Sequence, residues 1–370
     1  MKNGMKVVAA VALCMVSASS LASCGGTKSD VQVIKVQFVP SRDPGELGSL
    51  AKKIEPLLKE AVKDEKSEDG KSYEFQIDTG TSYAATTEAM LSDQVDIGFL
   101  TASGYAEATI KHPDKVEVLM TSVRKGYKVQ VDDYKDDVAN QIKAMNGEIE
   151  GYEYLGQQSD SDVNWYTSQL CVAKKYYVDK NSDGKIDVKD MAGLKIGRQG
   201  QTSGAGYLRP LKYLDDNGME MVDELDETKT NQIRGIATTG YDVALQGMVD
   251  GDLDGMWMFT DVRYANGYNK EGNQYYQDKK IFTEFPCVAI TDGIYNDTIS
   301  ARAGLDSKAK EVTKKAFKTI VKEGTKEEEG TGAYYLYNIY SHTGYTDASD
   351  SDFDGERDFY NYLVDNDLLG

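Results

Sequence analysis

The amino-acid sequence predicts an α/β fold divided between two lobes. Strand patterns alternate with helix patterns in the first part of the chain, and this alternation favours a mainly parallel sheet flanked by helices. The chain has 370 residues, which is too long for one typical core. Hydrophobic residues make up 40% of it, which is enough to fill two cores.

Hydrophobic spacing defines the elements of the first lobe. Residues 33–39 and 73–77 alternate between apolar and polar side chains as strands do, and residues 95–100 and 116–123 form two further predicted strands. The apolar residues between the first two strands recur at helical spacing: Leu50, Ile54, Leu57, Leu58 and Val62.

The middle of the chain carries the elements of a second lobe. Residues 132–164 are acidic and weakly periodic, which predicts a surface insertion with one short helix at 138–145. The remaining predicted elements are a strand in 165–178, a helix at 241–249, a strand at 253–259 and a return to the first lobe through 285–290. The C-terminal part is predicted to be mostly helical.

Small hydroxyl residues follow several of these strands. The strand at 194–198 leads through a Gly, Gln, Thr, Ser turn into a helix, where free backbone N–H groups and the helix dipole favour a bound anion. Thr202 and Ser203 would add two hydroxyl donors, although either is equally an ordinary N-cap. Similar turns lie at 78–83 and 101–105, and ligand sites in such sheets lie at the strands' carboxyl ends.

The N-terminal segment has the features of an export signal. Lys2 and Lys6 precede an apolar run at 7–16, so residues 1–23 are predicted to be a signal peptide. The Leu-Ala-Ser-Cys-Gly sequence at 21–25 looks like a bacterial lipobox, in which Cys24 is acylated. Residues 24–30 would then tether the protein to the outer face of the cell membrane, and a soluble secreted protein is the alternative.

Charge and cysteine content limit the partners. A net charge of −19 argues against nucleic acid or an anionic membrane surface as partner. Cys14 lies in the signal peptide, which leaves Cys171 and Cys287 beside Cys24; a disulfide and two separate buried thiols both stay open. The chain has only two histidines, which excludes a structural metal cluster of Cys and His.

Residues 179–190 match the spacing of a calcium loop of the EF-hand and dockerin type. Glycine occupies the sixth position, and Asp rather than Glu occupies the twelfth. The pattern predicts a structural Ca²⁺ site, and an uncomplexed polar hairpin is the alternative. The candidate ligands are Asp179, Asn181, Asp183, Lys185 through its carbonyl, Asp187 and Asp190.

An ordered set of segments resembles the substrate-binding lipoproteins of phosphonate, phosphite and phosphate ABC importers. No single segment is specific to this family, but the occurrence of all of them in the same order along the chain is. The segments are Val-Asp-Ile-Gly-Phe-Leu at 95–100 with Tyr105, Asp-Met-Ala-Gly-Leu-Lys-Ile at 190–196, Thr-Ser-Gly at 202–204 with Tyr207 and Pro210, and Tyr-Asp-Val-Ala-Leu at 241–245 followed by Gly-Asp-Leu-Asp-Gly at 251–255.

This resemblance implies a type II periplasmic-binding-protein fold, in which each lobe is a mixed, mainly parallel sheet flanked by helices and the ligand lies in the cleft between the lobes. Lobe 1 is expected to comprise residues 31–122 and 286–370, and lobe 2 residues 123–285. The expected partners are a small anionic ligand and an ABC permease with its ATPase. The expected location is the extracellular face of the bacterial membrane, or its periplasmic side where two membranes exist.

The resemblance also implies a set of ligand-binding residues. The turn of lobe 2 would hold the oxyanion, Asp261 would pair with a ligand amine, and the other residues would line the cleft. The full set is Gln201, Thr202, Ser203, Gly204, Ser82, Tyr83, Thr101, Tyr241 and Asp261. Leu100 and Tyr241 depart from the family pattern, so a sulfonate or an amino-acid-like anion is the alternative ligand.

An exported hydrolase is the competing class of function. The chain has no Gly-x-Ser-x-Gly elbow, and no histidine lies near either hydroxyl turn in sequence. We therefore expect a binding protein with no catalytic residues and no catalytic cofactor.

Overall fold

The computed structural model describes residues 30–40, 44–268 and 279–369. Two mixed sheets with flanking helices form two lobes, which confirms the predicted α/β architecture. The predicted signal peptide and the predicted lipidation site, Cys24, lie outside the described residues. None of the helices within these ranges is both long and apolar enough to cross a membrane.

The strands are numbered in chain order. They are β1 (Val31–Phe38), β2 (Ser72–Thr79), β3 (Ile97–Leu100), β4 (Val116–Tyr127), β5 (Gln158–Val163), β6 (Trp165–Val172), β7 (Lys195–Arg198), β8 (Glu220–Val222), β9 (Gln232–Ala237), β10 (Gly255–Phe259), β11 (Cys287–Tyr295), β12 (Thr298–Arg302) and β13 (Gly344–Asp347).

The helices are numbered in the same way. They are α1 (Pro44–Ala61), α2 (Tyr83–Leu91), α3 (Ala102–Lys111), α4 (Val138–Met145), α5 (Arg209–Asp216), α6 (Tyr241–Asp250), α7 (Lys280–Glu284), α8 (Ser307–Ile320), α9 (Gly332–Tyr340) and α10 (Asp354–Asp365). The predicted helix at 138–145 is confirmed as α4.

The first sheet has the strand order β13-β4-β12-β3-β1-β2, and β5 pairs with β4. β1 pairs in parallel with β2 and β3, as expected for strands joined through the crossover helices α1 and α2. Alternate residues of β1 are buried against α1 and α8, and Phe38, Phe99 and Phe317 form the aromatic centre of this core. The parallel strands therefore bring the starts of α2 and α3 to one edge of the sheet.

The second sheet has the strand order β11-β6-β10-β7-β9-β8. The strand pairs β10–β7, β7–β9 and β9–β8 are parallel, whereas β6 pairs with both β10 and β11 in antiparallel fashion. The buried side chains of Leu170, Ile196 and Trp257 fill one face of this sheet. The turn after β7 and the start of α6 consequently lie at the carboxyl edge of the parallel strands, facing the first lobe.

The predicted lobe boundaries are corrected at one place. Residues 286–370 were expected in lobe 1, but β11 pairs with β6 in the second sheet. The other expected boundary, between residues 122 and 123, falls inside β4, whose last residues pair with β5. The difference at β11 arises because backbone pairing over long sequence separations, which hydrophobic spacing does not report, assigns a strand to a sheet.

Three chain segments cross between the lobes side by side. The N–H of Ser122 donates to the carbonyl of Asp297 at 3.0 Å, and the N–H of Asn296 donates to the carbonyl of Asn164 at 2.8 Å. The side-chain amide of Asn296 donates to the carbonyls of Ser122 and Val163. These bonds tie the end regions of β4, β5 and β11 into one hinge, which is defined here as residues 121–124, 163–165 and 295–298.

Candidate functional site

A cavity of about 40 Å³ lies between the two lobes, next to the hinge. A single water molecule needs about 10 to 15 Å³ of such a cavity, so the cavity has room for a few groups of the size of a water molecule. The residues that line it are Val39, Tyr83, Thr101, Arg124, Tyr166, Ser203, Tyr241, Phe259, Asp297, Ile339 and Tyr340. Both lobes and the hinge therefore contribute to one small, mixed polar and aromatic space.

Helix starts from both lobes converge on this interlobe cavity. Tyr83 is the first residue of α2, Thr101 is the N-cap of α3, and Tyr241 is the first residue of α6. Ser203 is the N-cap of a π-helical turn, Gly204–Leu208, that continues into α5. Because the positive end of each helix dipole points at its N-terminus, the four starts together favour an anion in the cavity.

Ser203 and Tyr241 lie next to each other in the lobe 2 wall of the cavity. The hydroxyl oxygen of Ser203 accepts a hydrogen bond from the N–H of Gly206 at 3.1 Å, which is its capping contact. Its hydroxyl lies 3.3 Å from that of Tyr241. Ser203 is thus an N-cap whose hydroxyl also faces the cavity, so capping the helix and facing a ligand are compatible for this side chain.

Thr101 holds the opposite wall and touches lobe 2. Its hydroxyl oxygen accepts from the N–H of Gly104 at 3.0 Å, and its hydroxyl donates to the carbonyl of Thr202 at 3.4 Å. The lobes are therefore in direct contact at the edge of the cavity, which corresponds to a closed arrangement.

A buried ion pair forms the hinge side of the cavity. The guanidinium of Arg124 pairs with the carboxylate of Asp297, and both residues are less than a tenth exposed. Arg124 also donates to the side-chain carbonyl of Asn296 and to the backbone carbonyl of Tyr340, each at 3.1 Å. Its guanidinium lies 4.8 Å from the centre of the Tyr166 ring. The pair brings a cation into the cavity, and its carboxylate compensates that charge.

The tyrosines of the cavity are protonated hydrogen-bond donors near neutral pH. Burial raises the pKa of Tyr83, Tyr166, Tyr241 and Tyr340 above the usual range, because a buried phenolate loses its hydration. The hydroxyl of Tyr340 donates to the carbonyl of Val39 at 2.7 Å, which holds its ring in the wall. A neutral phenol can donate to an anion, whereas a phenolate would repel it.

His342 lies behind the ion pair. Burial lowers its pKa to about 4, and hydrogen bonding to Asp297 only partly opposes this effect. The 3.4 Å contact between its Nε2 and the Asp297 carboxylate is therefore a hydrogen-bond contact of a neutral ring and not an ion pair near pH 7. For Asp297, burial alone would raise the pKa of the carboxyl, but the nearby Arg124 and His342 outweigh burial and lower it.

Four of the predicted ligand residues line the cavity: Tyr83, Thr101, Ser203 and Tyr241. The other predicted ligand residues of the turns at 78–83 and 201–204 lie outside its lining. Thr202 contributes its carbonyl to the contact with Thr101, and Gln201 is exposed. Ser82 is exposed and caps α2 by accepting from the N–H of Ala85.

Gly204 has a steric part in the lobe contact. A Cβ atom at this position would lie 3.3 Å from the hydroxyl oxygen of Ser103 and 3.5 Å from that of Tyr166. The contact with Ser103 would be tight, and the contact with Tyr166 would be an ordinary van der Waals contact. The absence of a side chain thus allows the turn of lobe 2 to approach α3 of lobe 1.

Asp261, which was predicted to bind the ligand, and Leu100, which departs from the family pattern, both lie outside the cavity lining. Asp261 is fully buried and forms an ion pair with Arg263, which also donates to the carbonyls of Phe282 and Phe285. We expected the carboxylate of Asp261 to bind a ligand amine in the cleft. It is instead paired inside lobe 2, outside the cavity lining. Leu100 is buried in an apolar cluster of lobe 1 with Met90 and does not line the cavity.

The calcium prediction is not supported by the structure. Within the described ranges, no group of three or more His, Cys, Asp or Glu residues is arranged to hold a metal ion. The loop carboxylates accept backbone hydrogen bonds instead: Asp179 from the N–H groups of Asp183 and Gly184, and Asp190 from those of Lys180 and Asp187. These bonds describe the polar hairpin that was the alternative interpretation.

The sequence analysis missed the hinge and aromatic residues of the cavity. Arg124 follows the mainly apolar segment 118–123 of β4, and a charged residue directly after such a segment is the local signal that could have identified it. Asp297 lies 173 residues away in sequence, so its pairing with Arg124 has no local signal. Tyr166, Phe259 and Tyr340 belong to a chain with 25 tyrosines and nine phenylalanines, which hides individual aromatic residues.

The C-terminal helix α10 closes the back of the lobe contact. Glu356 of α10 is buried and pairs with Arg209 of α5, and it also accepts from the hydroxyl of Ser103 at 3.2 Å. The guanidinium carbon of Arg209 lies over the ring of Phe359, 3.7 Å from the ring centre. The hydroxyl of Tyr362 donates to the carboxylate of Asp215 at 2.7 Å. One helix of lobe 1 therefore holds the helix of lobe 2 that continues from the Ser203 turn.

A two-lobed fold with an anion-favouring cavity beside its hinge defines a solute-binding protein of the kind that closes around a small ligand. The family model described as "ABC transporter, phosphonate, periplasmic substrate-binding protein" matches residues 36–353. The chain belongs to this family, whose members work outside the cytoplasm with an ABC permease and its ATPase. No curated protein matches the chain.

Solved structures with the same fold include two phosphonate-binding proteins. The binding component of an ABC phosphonate transporter from Pseudomonas aeruginosa has a TM-score of 0.58 and 14% identity over 90% of this chain and 87% of its own. PhnD1 from Prochlorococcus marinus in complex with methylphosphonate has a TM-score of 0.59 and 12% identity, over 90% and 98%. A Xanthomonas citri protein bound to chloride has a TM-score of 0.59 and 11% identity, over 90% and 99%.

The buried neutral His342 predicts a loss of stability on acidification. Because its pKa is about 4 in the folded chain and ordinarily 6.5, the unfolded chain binds the proton more readily between these values. The contribution of neutral His342 to the free energy of unfolding is complete above pH 6.5. It decreases by about 3 kcal/mol as the pH falls towards 4. We expect His342→Gln to reduce the difference between the free energies of unfolding at pH 7 and pH 4.5, measured with urea.

His112 supplies the matched control, since it is the other histidine of the chain and is exposed at the end of α3. His112→Gln should keep the pH dependence of the unmodified protein. Equal pH dependence in His342→Gln and the unmodified protein would contradict the assignment of a buried neutral ring.

Proposed function

We propose that this chain captures a small phosphorus oxyanion, namely a phosphonate, phosphite or phosphate, and delivers it to an ABC permease. The observation that carries the proposal is the convergence of four helix starts and one guanidinium on a single interlobe cavity. Such starts present free N–H groups and positive dipole ends, which together favour a tetrahedral anion. Family membership supports the same ligand class.

The size of the cavity favours a small ligand. About 40 Å³ leaves room for the oxygens of one tetrahedral group and a short substituent, and not for a nucleotide or a long chain. The rings of Tyr83, Tyr166, Tyr241, Phe259 and Tyr340 surround this space. They would exclude water from the bound anion, which strengthens its remaining hydrogen bonds.

Local donors must hold the anion against the overall charge of the protein. The net charge of −19 disfavours an anion at long range. At short range, the hydroxyls of Ser203, Tyr83 and Tyr241 are neutral donors, and Arg124 carries a positive charge partly compensated by Asp297. We infer that oriented hydrogen bonds, more than net charge, select the ligand.

A sulfonate or amino-acid-like anion is the second candidate ligand. The observation that favours the amino-acid-like ligand is the carboxylate of Asp297, which lies in the cavity lining together with aromatic rings. A carboxylate and aromatic faces are the groups that bind an ammonium group. A ligand with both an anionic and a cationic end would use the two kinds of group in the same cavity.

We also propose that the protein is exported and anchored by a lipid on Cys24, on the extracellular face of the bacterial cell membrane or on the periplasmic side where there are two membranes. The support is the signal-like residues 1–23 with the lipobox-like sequence at 21–25. We propose no catalytic step, since the expected role of the cavity is to bind and release.

The function is tested by a thermal-shift screen of the full chain. The panel comprises phosphate, phosphite, methylphosphonate, aminoethylphosphonate and methanesulfonate. A ligand at a hundred times its dissociation constant stabilises the folded protein by about 2.7 kcal/mol, which gives a measurable shift. We expect a shift with at least one phosphorus compound. A shift with methanesulfonate alone would favour the sulfonate of the second candidate. No shift with any compound would refute both the phosphorus oxyanion and the sulfonate as ligands.

Ser203→Ala tests the site assignment. The variant removes a hydroxyl that we expect to form a charge-assisted hydrogen bond worth about 1.5 to 3 kcal/mol. The dissociation constant of the ligand found in the screen should therefore rise by about 10- to 150-fold, as measured by calorimetry. Gln201→Ala, in the exposed part of the same turn, is the matched control and should leave the affinity unchanged. Equal affinities in the two variants would place the ligand elsewhere.

Glu356→Gln tests lobe closure. The change removes the charge that pairs with Arg209 across the lobe contact, and Glu356 itself is not part of the cavity lining, so the ligand donors remain. We expect the ligand to dissociate about tenfold faster, which corresponds to about 1.4 kcal/mol, because the closed arrangement is weakened. Asp354→Asn on the same helix is the control, since its exposed carboxylate pairs only within α10. Stopped-flow dissociation rates that are equal in the two variants would refute this role.

A further inference from the structure

Cys171 and Cys287 lie opposite each other in the second sheet. They are Cα partners in the antiparallel pair of β6 and β11. Side chains of directly opposed residues project from the same face of a sheet, so the two thiols are on one side. The sequence left their relation open, and the register of these strands now brings them together.

The hydrogen bonds around the two cysteines identify the type of pair. The N–H of Val172 donates to the carbonyl of Pro286 at 3.1 Å, so the neighbouring position is the hydrogen-bonded one. The N–H of Cys287 donates to the side chain of Asn146 at 2.7 Å and not to β6. Cys171 and Cys287 are therefore a non-hydrogen-bonded pair, in which Cα atoms are about 4.5 Å apart and side chains are closest.

This spacing is compatible with a covalent bond. Disulfides form where Cα atoms are roughly 4.4 to 6.8 Å apart and the Cβ atoms face each other. Both thiols are at most 1% exposed and belong to one apolar cluster with Met256 and Ile290. Both cysteines are free thiols in the structure, and the side chains of the two are in contact. The Cys287 thiol also donates weakly to the carbonyl of Ala289 at 3.4 Å, which does not compete strongly with a bond to Cys171.

We propose that Cys171 and Cys287 form a disulfide that joins β6 to β11 in the exported protein. The proposal does not depend on the identity of the ligand. Members of this family work outside the cytoplasm, where disulfides form and persist. The two thiols lose two protons and two electrons, and the acceptor is a protein disulfide of the export compartment, which is reduced to a dithiol through a mixed-disulfide intermediate.

The bond must form before the lobe is fully folded. Burial raises the pKa of the Cys171 thiol well above its usual range, so the folded chain holds almost no reactive thiolate there. The same burial protects the bond from reductants once it has formed. Because β6 begins and β11 ends at the hinge, the bond fixes two of the crossing strands to each other within lobe 2.

Peptide mapping of the exported full chain tests the proposal. The protein is denatured in an alkylating reagent without reductant and digested with trypsin, which yields peptides 144–174 and 281–302 around the two cysteines. We expect one linked species with two hydrogens fewer than the two peptides combined. Recovery of both peptides as separate alkylated species would overturn the proposal.

Two further measurements use the same digest. Cys171→Ser should abolish the linked species and release peptide 281–302 in alkylated form. If Cys287 is instead bonded to another cysteine, both in this variant and in the unmodified chain, the proposed pairing is overturned. Reductant added to the native, unmodified protein should leave the linked species intact, and reductant added with denaturant should remove it. Rapid reduction of the native protein would contradict a buried bond.

Discussion

The ion pair of Arg124 and Asp297 is the interaction on which the arrangement of the lobes depends. Burying two charges costs several kcal/mol per ion unless they are paired and their other donors and acceptors are satisfied. Here Asn296, the Tyr340 carbonyl and His342 meet that requirement. Because these groups come from β4, the hinge and the C-terminal part of lobe 1, the pair can form only when all of them are in place.

This constraint links the hinge to the cavity. The same guanidinium that ties the crossing strands together forms one wall of the space where four helix starts meet. Any change in the angle between the lobes moves Ser203 and Tyr241 relative to Arg124, since they belong to different lobes. A bound anion that contacts both sides would therefore stabilise one lobe angle, which is the physical basis of closure in such proteins.

Contacts between residues outside the cavity lining support the same closed arrangement. Helix α10 holds α5 through Glu356 and Arg209, and α5 continues from the turn that Ser203 caps. Gly204 allows that turn to approach α3 without a steric conflict. The buried core of each lobe, by contrast, is formed within its own sheet and helices, so the lobes are rigid units joined by a small polar contact region.

The sequence by itself determined the alternation of strands and helices, the hydroxyl turns that begin at Thr101 and that contain Thr202 and Ser203, the short helix α4 and the family to which the chain belongs. These depend on residues close together along the chain, which local spacing reports. Only the tertiary structure decided that Arg124 meets Asp297, that Asp261 pairs with Arg263, and that β11 lies in the second sheet. Such outcomes depend on which distant groups share a buried space, because burial forces each charge and each strand edge to find a partner.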